Sequence, residues 1–247
     1  MIDKFTGEVY VFAKTNDQYS WSPTAIIPAP DGVNSNFGYP LVTDNNRFIT
    51  AATAVGKLTI VYPLQFLLGF LTFLLFVFII SDGYVGRVYI FTRSGDSWFE
   101  TAKINSPLGS FQAFGHSLDL QGDIAIIGTV NGIVFVYEVV EGEWILTTAL
   151  QAPDLDPSFG YSVSLDGNYL VVGAASTADT TGAVYIYQRH FVGNWTLSQT
   201  MSSLSGPQSQ FGYSVALSND TLVIGAIGYR VDFYNPTGAS KFNQHIK

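Results

Sequence analysis

Four tryptophans, Trp21, Trp98, Trp144 and Trp195, mark the same place in a repeat that runs four times through these 247 residues. Internal repetition constrains a fold more than composition does, because each unit must bury its apolar faces against its neighbours. A Gly-x-Val-aromatic-hydrophobic-aromatic run precedes each tryptophan: Gly7 to Phe12, Gly86 to Phe91, Gly132 to Tyr137 and Gly182 to Tyr187. The Gly-to-Trp distances are 14, 12, 12 and 13 residues. A Phe-Gly pair follows each tryptophan, at Phe37-Gly38, Phe114-Gly115, Phe159-Gly160 and Phe211-Gly212, with Trp-to-Phe distances of 16, 16, 15 and 16. Fourteen residues after each of these phenylalanines comes a small residue: Ala51, Gly128, Gly173 and Gly225.

Each unit reads as four strands. The Gly-x-Val strand is followed by the Trp strand, by a strand opening at Phe-Gly, and by an apolar run such as Tyr169 to Ala174. Short apolar runs of this kind fit strands buried on both faces. Tight turns join the last two strands, at Asp44-Asn45-Asn46, Gln121-Gly122, Asp166-Gly167 and Asn219-Asp220. Asp-Gly and its relatives supply the positive φ that two-residue hairpins require. Four-stranded units at a period of about 50 residues predict an all-β, β-propeller-type repeat. The units span 1–56, 82–131, 132–181 and 182–234, with an apolar insertion at 57–81 and a tail at 235–247.

The Phe-Gly pair, a spacer and then Gly-Ala resemble the FG-GAP repeat of integrin-α-type N-terminal β-propellers. Phe159-Gly160…Gly173-Ala174 and Phe211-Gly212…Gly225-Ala226 carry the likeness best. Ala152-Pro153-Asp154 and Ala29-Pro30-Asp31-Gly32 look like loops of that family. The resemblance covers nearly the whole chain except 57–81 and the last dozen residues, and it implies a non-catalytic binding or scaffold module. Propellers of this kind usually have about seven blades, whereas this chain offers four units and a further fragment at Val231 to Tyr234. The family's calcium loops carry an Asp-x-Asp-x-Asp-Gly-like run, and none occurs here. Asp154-Leu155-Asp156 supplies two carboxylates only, against the six to eight oxygens Ca²⁺ prefers. Calcium at this loop therefore competes with a plain solvated loop.

Residues Ile60 to Ile80 break the pattern. They hold sixteen Leu, Ile, Val or Phe in twenty-one positions and no charge, which is long enough to span a bilayer. Removing 57–81 restores the register: the Phe-Gly spacings of 77, 45 and 52 become 52, 45 and 52, since 77 − 25 = 52. Three readings stand for this segment: translated intron, genuine transmembrane helix, or apolar interaction hairpin. Gly56-Lys57 is encodable through a donor-like GTAAG, and a Phe/Leu-rich run is what a pyrimidine-rich tract encodes. A single span would place the first unit across a membrane from the other three.

The net charge of −8 and the absence of any Lys/Arg cluster argue against nucleic acid, which requires a basic surface. With no cysteine, disulfides and zinc–thiolate sites are excluded. The residues Met1 to Phe5 lack the basic and apolar regions of a signal peptide, so the chain is either cytosolic or has another N-terminus. Two sequons, Asn194-Trp195-Thr196 and Asn219-Asp220-Thr221, point instead to an extracellular or cell-surface protein. No Ser/His/Asp set, HExxH or phosphate loop is present, so no catalytic, cofactor-binding or metal residue is assigned. His116 replaces the tyrosine that follows Phe-Gly in the other units (Tyr39, Tyr161, Tyr213) and reads as a strand residue. His190 falls in a hairpin and His245 in the tail. The tryptophans and the Phe-Gly phenylalanines read as shared packing positions.

The expected function is recognition of a protein or glycan through loops, which vary while the blades stay fixed. The candidate surface is the set of loops before each Phe-Gly: Pro28–Asn36, Asn105–Ala113, Gln151–Ser158 and Ser202–Gln210. Equivalent positions place them on one face. An integrin-α-like membrane protein anchored by 60–80, and the accessory propeller of an enzyme, are the alternatives.

Overall fold

The computed structural model describes residues 7–14, 20–30, 36–44, 47–52, 86–109, 113–175, 181–203, 209–219, 221–227 and 231–234. All regular structure among them is strand. The insertion 57–81, with its membrane, intron and hairpin readings, lies outside the described residues, as do the tail 235–247 and His245. Among the described residues, no helix is long and apolar enough to cross a membrane.

The strands form five antiparallel sheets. A two-stranded ribbon pairs β1 (Glu8–Lys14) with β2 (Trp21–Pro28). Next comes a four-stranded sheet of β3 (Leu41–Asp44), β4 (Arg47–Ala52), β5 (Arg87–Ser94) and β6 (Ser97–Asn105). The third sheet is β7 (Ser117–Gln121), β8 (Ile124–Gly128), β9 (Ile133–Val140) and β10 (Glu143–Gln151). The fourth is β11 (Phe159–Asp166), β12 (Tyr169–Ala174), β13 (Ala183–Phe191) and β14 (Asn194–Ser202). The last holds β15 (Phe211–Ser218), β16 (Thr221–Ala226) and β17 (Val231–Tyr234).

Each four-stranded sheet takes its first two strands from one sequence unit and its last two from the next. The physical reason is the loop after Gly-Ala. It is a local connection within one sheet, whereas the loop before Phe-Gly carries the chain to the neighbouring sheet. β4 thus pairs β5 across the insertion, with Ala51 opposite Val88 and Arg47 opposite Thr92. The fragment Val231 to Tyr234 is the third strand of the last sheet.

The alternating side chains of a strand point to opposite faces, and here both faces are covered. In β8, Ile124 and Ile126 pack toward β11–β14, while Ala125 and Ile127 pack toward β3–β6. The pattern recurs in β13, where Tyr185 and Tyr187 face the preceding sheet and Val184 and Ile186 the following one. Four apolar layers result, one between each successive pair of sheets. Trp98, Trp144 and Trp195 and the four Phe-Gly phenylalanines occupy equivalent places in these layers, whereas Trp21 departs from the expected packing role and is 61% exposed. Phe159 sits edge-on to Tyr185 at 5.3 Å, Phe37 edge-on to Tyr89 at 5.8 Å, and Phe114 tilted against Phe135 at 5.7 Å. A bulge falls at one repeat position in all four Gly-x-Val/Trp hairpins, between Val11 and Phe12, Ile90 and Phe91, Val136 and Tyr137, and Ile186 and Tyr187. Such bulges increase the local twist of a hairpin.

The Phe-Gly and Gly-Ala landmarks lock one sheet to the next. Ser117 Oγ donates to the Gly160 carbonyl at 2.7 Å, and Ser162 Oγ to the Gly212 carbonyl at 2.8 Å. A Cβ added at Gly128 would stand 2.1 Å from Ser117 Oγ and 2.3 Å from the Gly160 oxygen; at Gly173 it would meet the Gly212 oxygen at 2.1 Å and Ser162 Oγ at 2.3 Å. The glycine therefore leaves room for the serine hydroxyl and for the neighbouring backbone. The first unit departs at both positions together, with Pro40 for the serine and Ala51 for the glycine. With no hydroxyl to house, a methyl group fits. At the other end of the strands the turns are tied in the same relay. Asp44 Oδ2 accepts from the Gly122 amide at 2.8 Å, Gln121 Oε1 from the Gly167 amide at 2.7 Å, and Asp166 Oδ2 from the Asn219 amide.

Candidate functional site

Within a four-stranded antiparallel sheet, alternate connections lie at opposite ends. The turns at Gln121-Gly122 and Asp166-Gly167 and the Gly193 hairpin lie at one end. The ends of the loops before Phe-Gly lie at the other, beside the glycines that open the Gly-x-Val strands. The contacts place them there. Ser209 Oγ and the Phe211 amide both donate to the Thr181 carbonyl, at 2.8 and 3.0 Å, and Gly182 bridges Phe211. A Cβ at Gly7, Gly86 or Gly182 would stand 1.9–2.1 Å from the carbonyl oxygen of Phe37, Phe114 or Phe211. The expectation that these loops share one face agrees with this arrangement, although 31–35, 110–112 and 204–208 lie outside the described residues.

Gln151–Ser158 is the loop described throughout, and it is tightly organised. Buried Ala152 plugs its base, and its carbonyl accepts from the Leu155 amide at 3.0 Å. Asp156 Oδ1 accepts from the Ser158 amide at 2.8 Å, and the Asp156 carbonyl accepts from the Phe159 amide at 3.1 Å. Leu155, with φ of 56°, forms the apex and is 74% exposed. Both oxygens of Asp154 accept from the Tyr185 hydroxyl, at 2.9 and 3.0 Å, and the Tyr187 hydroxyl donates to the Gln151 carbonyl at 3.2 Å. Burial raises the pKa of both phenols, and Asp154 raises them further; Tyr187 is pushed up to about 12. The two carboxylates considered for calcium are thus engaged by a phenol and a backbone amide, and among the described residues no group of three or more His, Cys, Asp or Glu is placed to hold a metal ion.

At the base of these loops lies a row of rings. His116 and Tyr161 are 4.9 Å apart between ring centres, and Tyr161 and Tyr213 again 4.9 Å. Tyr39, exposed, holds the equivalent place in the first unit. One ring from each consecutive sheet enters the row, because each is the residue after Phe-Gly, where the glycine takes φ of 88–99°. Burial lowers the His116 pKa, so that ring is neutral at physiological pH. Burial and then the Tyr213 hydroxyl push Tyr161 up to about 12. The row is therefore uncharged, with aromatic faces and hydroxyl groups, suited to stacking and hydrogen bonding rather than to acid–base chemistry. The sequence reads His116 as a strand residue; it lies in the bend immediately before β7, whereas Tyr161 and Tyr213 lie within β11 and β15, and the sequence reading does not connect the three as one surface. The signal was present: an aromatic ring follows every Phe-Gly.

A family model for the FG-GAP repeat matches residues 144–187 and 206–239. No curated protein sequence matches the chain. Among solved structures, the chain is similar to Sqt1 of Saccharomyces cerevisiae, with a TM-score of 0.51 at 12% identity over 96% of this chain and 68% of that one. The computationally designed Ika4 protein matches with a TM-score of 0.46 and 15% identity over 79% of this chain and 88% of that one. At 12% identity the likeness to Sqt1 speaks for fold alone. Two segments of the chain are thus similar to the FG-GAP repeat, and its four-stranded antiparallel sheets, stacked face to face, give a fold of β-propeller type.

Proposed function

We propose that the chain is a non-catalytic recognition module that binds a protein or glycan through the loops before each Phe-Gly and the ring row at their base. The observation that carries this reading is the row His116, Tyr161 and Tyr213, which aligns three rings from three consecutive sheets beside the ordered loop Gln151–Ser158. Aromatic faces with a polar handle are favoured at recognition surfaces, being apolar on the ring and wet at the hydroxyl. The two sequons fall at the opposite end of the sheets, Asn194 beside the Gly193 hairpin and Asn219 in the β15–β16 turn. Glycans there would leave the loop face clear, which supports an extracellular or cell-surface setting. The test is saturable binding to arrayed glycans or proteins, weakened about tenfold or more by Tyr161→Ala and Leu155→Asp. Catalytic turnover in a hydrolase screen would overturn it.

The alternative is an integrin-α-like membrane protein anchored by 60–80. The pairing of β4 with β5 weighs against a single crossing, since it joins residues on either side of the insertion in one sheet. Alkaline carbonate extraction decides: retention of the chain in the membrane pellet would favour the anchored reading.

A further inference from the structure

The ring row is set by one local device used four times. The amide of each ring residue donates to the carbonyl three residues earlier: Tyr39 to Asn36, Tyr161 to Ser158 and Tyr213 to Gln210 at 3.1 Å, and His116 to Ala113 at 2.9 Å. Between acceptor and donor stands Phe-Gly, with glycine φ of 88–99°, as in the third residue of a type II turn. The phenylalanine of each turn is buried in a layer between sheets. The ring that follows is thereby held in place before any ligand arrives, which lowers the ordering cost of binding.

The chemistry of this platform is one-sided. Its rings are neutral, since burial keeps His116 unprotonated at physiological pH and Tyr161 is pushed up to about 12. No Lys or Arg occurs in 28–36, 105–113, 151–158 or 202–210, so these loops carry no cation to hold an anionic ligand. The Asp154 and Asp156 carboxylates are already engaged by the Tyr185 hydroxyl and the Ser158 amide. The Tyr161 and Tyr213 hydroxyls bond each other. One donates, and the other keeps its own proton to donate outward. The row therefore suits a ligand that is uncharged, rich in acceptors and poor in donors. A sugar fits this less well, because each of its hydroxyls brings a donor that needs a free acceptor. A proline-rich segment fits on every count. Proline has no N–H, polyproline II leaves its carbonyls unpaired, and such segments dock on aromatic-lined surfaces with little entropy to lose. The spacing agrees: two steps of 4.9 Å put the His116 and Tyr213 ring centres at most about 10 Å apart, and one turn of polyproline II advances about 9 Å.

We propose that the row His116, Tyr161 and Tyr213 binds an uncharged, proline-rich segment of a partner protein in the polyproline II conformation. Residues i and i+3 of the segment lie on the two outer rings, and a carbonyl between them accepts from the Tyr161–Tyr213 hydroxyl pair. This names the partner for the recognition face proposed above and rests on that reading.

The probe is fluorescein-labelled decaproline, with a Gly-Ser peptide of equal length as control, titrated into the full chain and followed by fluorescence anisotropy. Saturable binding of decaproline and not of the control is expected, and it should change less than about twofold between low and high salt, since no ion pair forms. Tyr161→Ala should weaken it about tenfold or more. Tyr161→Phe with Tyr213→Phe keeps both rings, and so the packing, but removes the donor; it should weaken binding about fivefold. Binding that ignores these substitutions, or that collapses with salt, would overturn the proposal. A chain that fails to bind decaproline but binds an arrayed glycan or another protein through Tyr161 would overturn it and leave the recognition face standing. A chain that binds none of these would overturn both.

Discussion

Gly173→Ala tests the lock between sheets. The added methyl group would stand 2.1 Å from the Gly212 carbonyl oxygen and 2.3 Å from Ser162 Oγ, and the first is backbone of the neighbouring sheet. Relief requires β12 and β15 to move apart or the Ser162–Gly212 hydrogen bond of 2.8 Å to break. Overpacking of this kind costs about 1–3 kcal/mol, and a lost hydrogen bond adds about 1 kcal/mol, so about 3 kcal/mol is expected. For a chain of this size that lowers Tm by about 6–12 °C. Gly225→Ala is the control. Among the described residues its three nearest atoms all belong to Ser214, with Oγ at 2.2 Å, and exposed Ser214 is able to turn away, so the cost should stay below about 1 kcal/mol. Adding Ser214→Ala should restore stability fully at Gly225→Ala, while Ser162→Ala should restore it only in part at Gly173→Ala. Thermal unfolding followed by tryptophan fluorescence reads all four variants. Equal losses at Gly173 and Gly225 would refute the claim that the first glycine is required by an adjoining sheet.

Other perturbations probe separate parts of the molecule. Glu138, 1% exposed, accepts from Arg189 Nε and from the Gly193 amide, both at 2.7 Å. Glu138→Ala should cost about 3 kcal/mol by denaturant unfolding, the low end for breaking a buried pair, because the Arg189 side chain stays 22% exposed. Burial lowers the His116 pKa below its ordinary 6.5. The unfolded chain therefore binds that proton more readily, and stability is full above pH 6.5 and falls as the pH drops from there through the folded value. His116→Tyr should remove that dependence, and an unchanged pH profile would show that His116 does not cause it. When the chain is expressed through a secretory pathway, Asn194→Gln and Asn219→Gln should each abolish one glycosidase-sensitive shift in gel mobility.

The fold was legible because repetition fixes the spacing of Phe-Gly, small residue and tryptophan, and those residues hold the layers together. The sequence did not reveal how strands group into sheets. A repeat has no privileged starting point, and only hydrogen bonding shows that the Gly-x-Val strand pairs with the apolar run before it, as Ala183 does with Ala174. The meaning of the small residue was likewise hidden, since Gly128 answers to the Ser117 hydroxyl and the Gly160 carbonyl rather than to any local turn. The ring row escaped notice because His116, Tyr161 and Tyr213 lie 45 and 52 residues apart and meet only when sheets stack. Asp154 and Asp156 read as a loop with two carboxylates only, and the sequence did not show that these serve the Tyr185 hydroxyl and the Ser158 amide, partners no spacing announces.

The pairing of β4 with β5 carries the account most directly, since it joins two units across the insertion and sets the phase of every sheet. Arg47 and Thr92 lie opposite each other near the edge of the core, and Arg47 contributes only partly exposed polar contacts with Asp44, Asp123 and the Gly122 carbonyl. In the chain bearing Arg47→Cys and Thr92→Cys, Cα atoms about 4.5–5.5 Å apart allow a disulfide. The account predicts rapid formation within one chain under mild oxidation, with the insertion present. Thiols that stay reduced, or that differ in their access to a membrane-impermeant reagent, would contradict it.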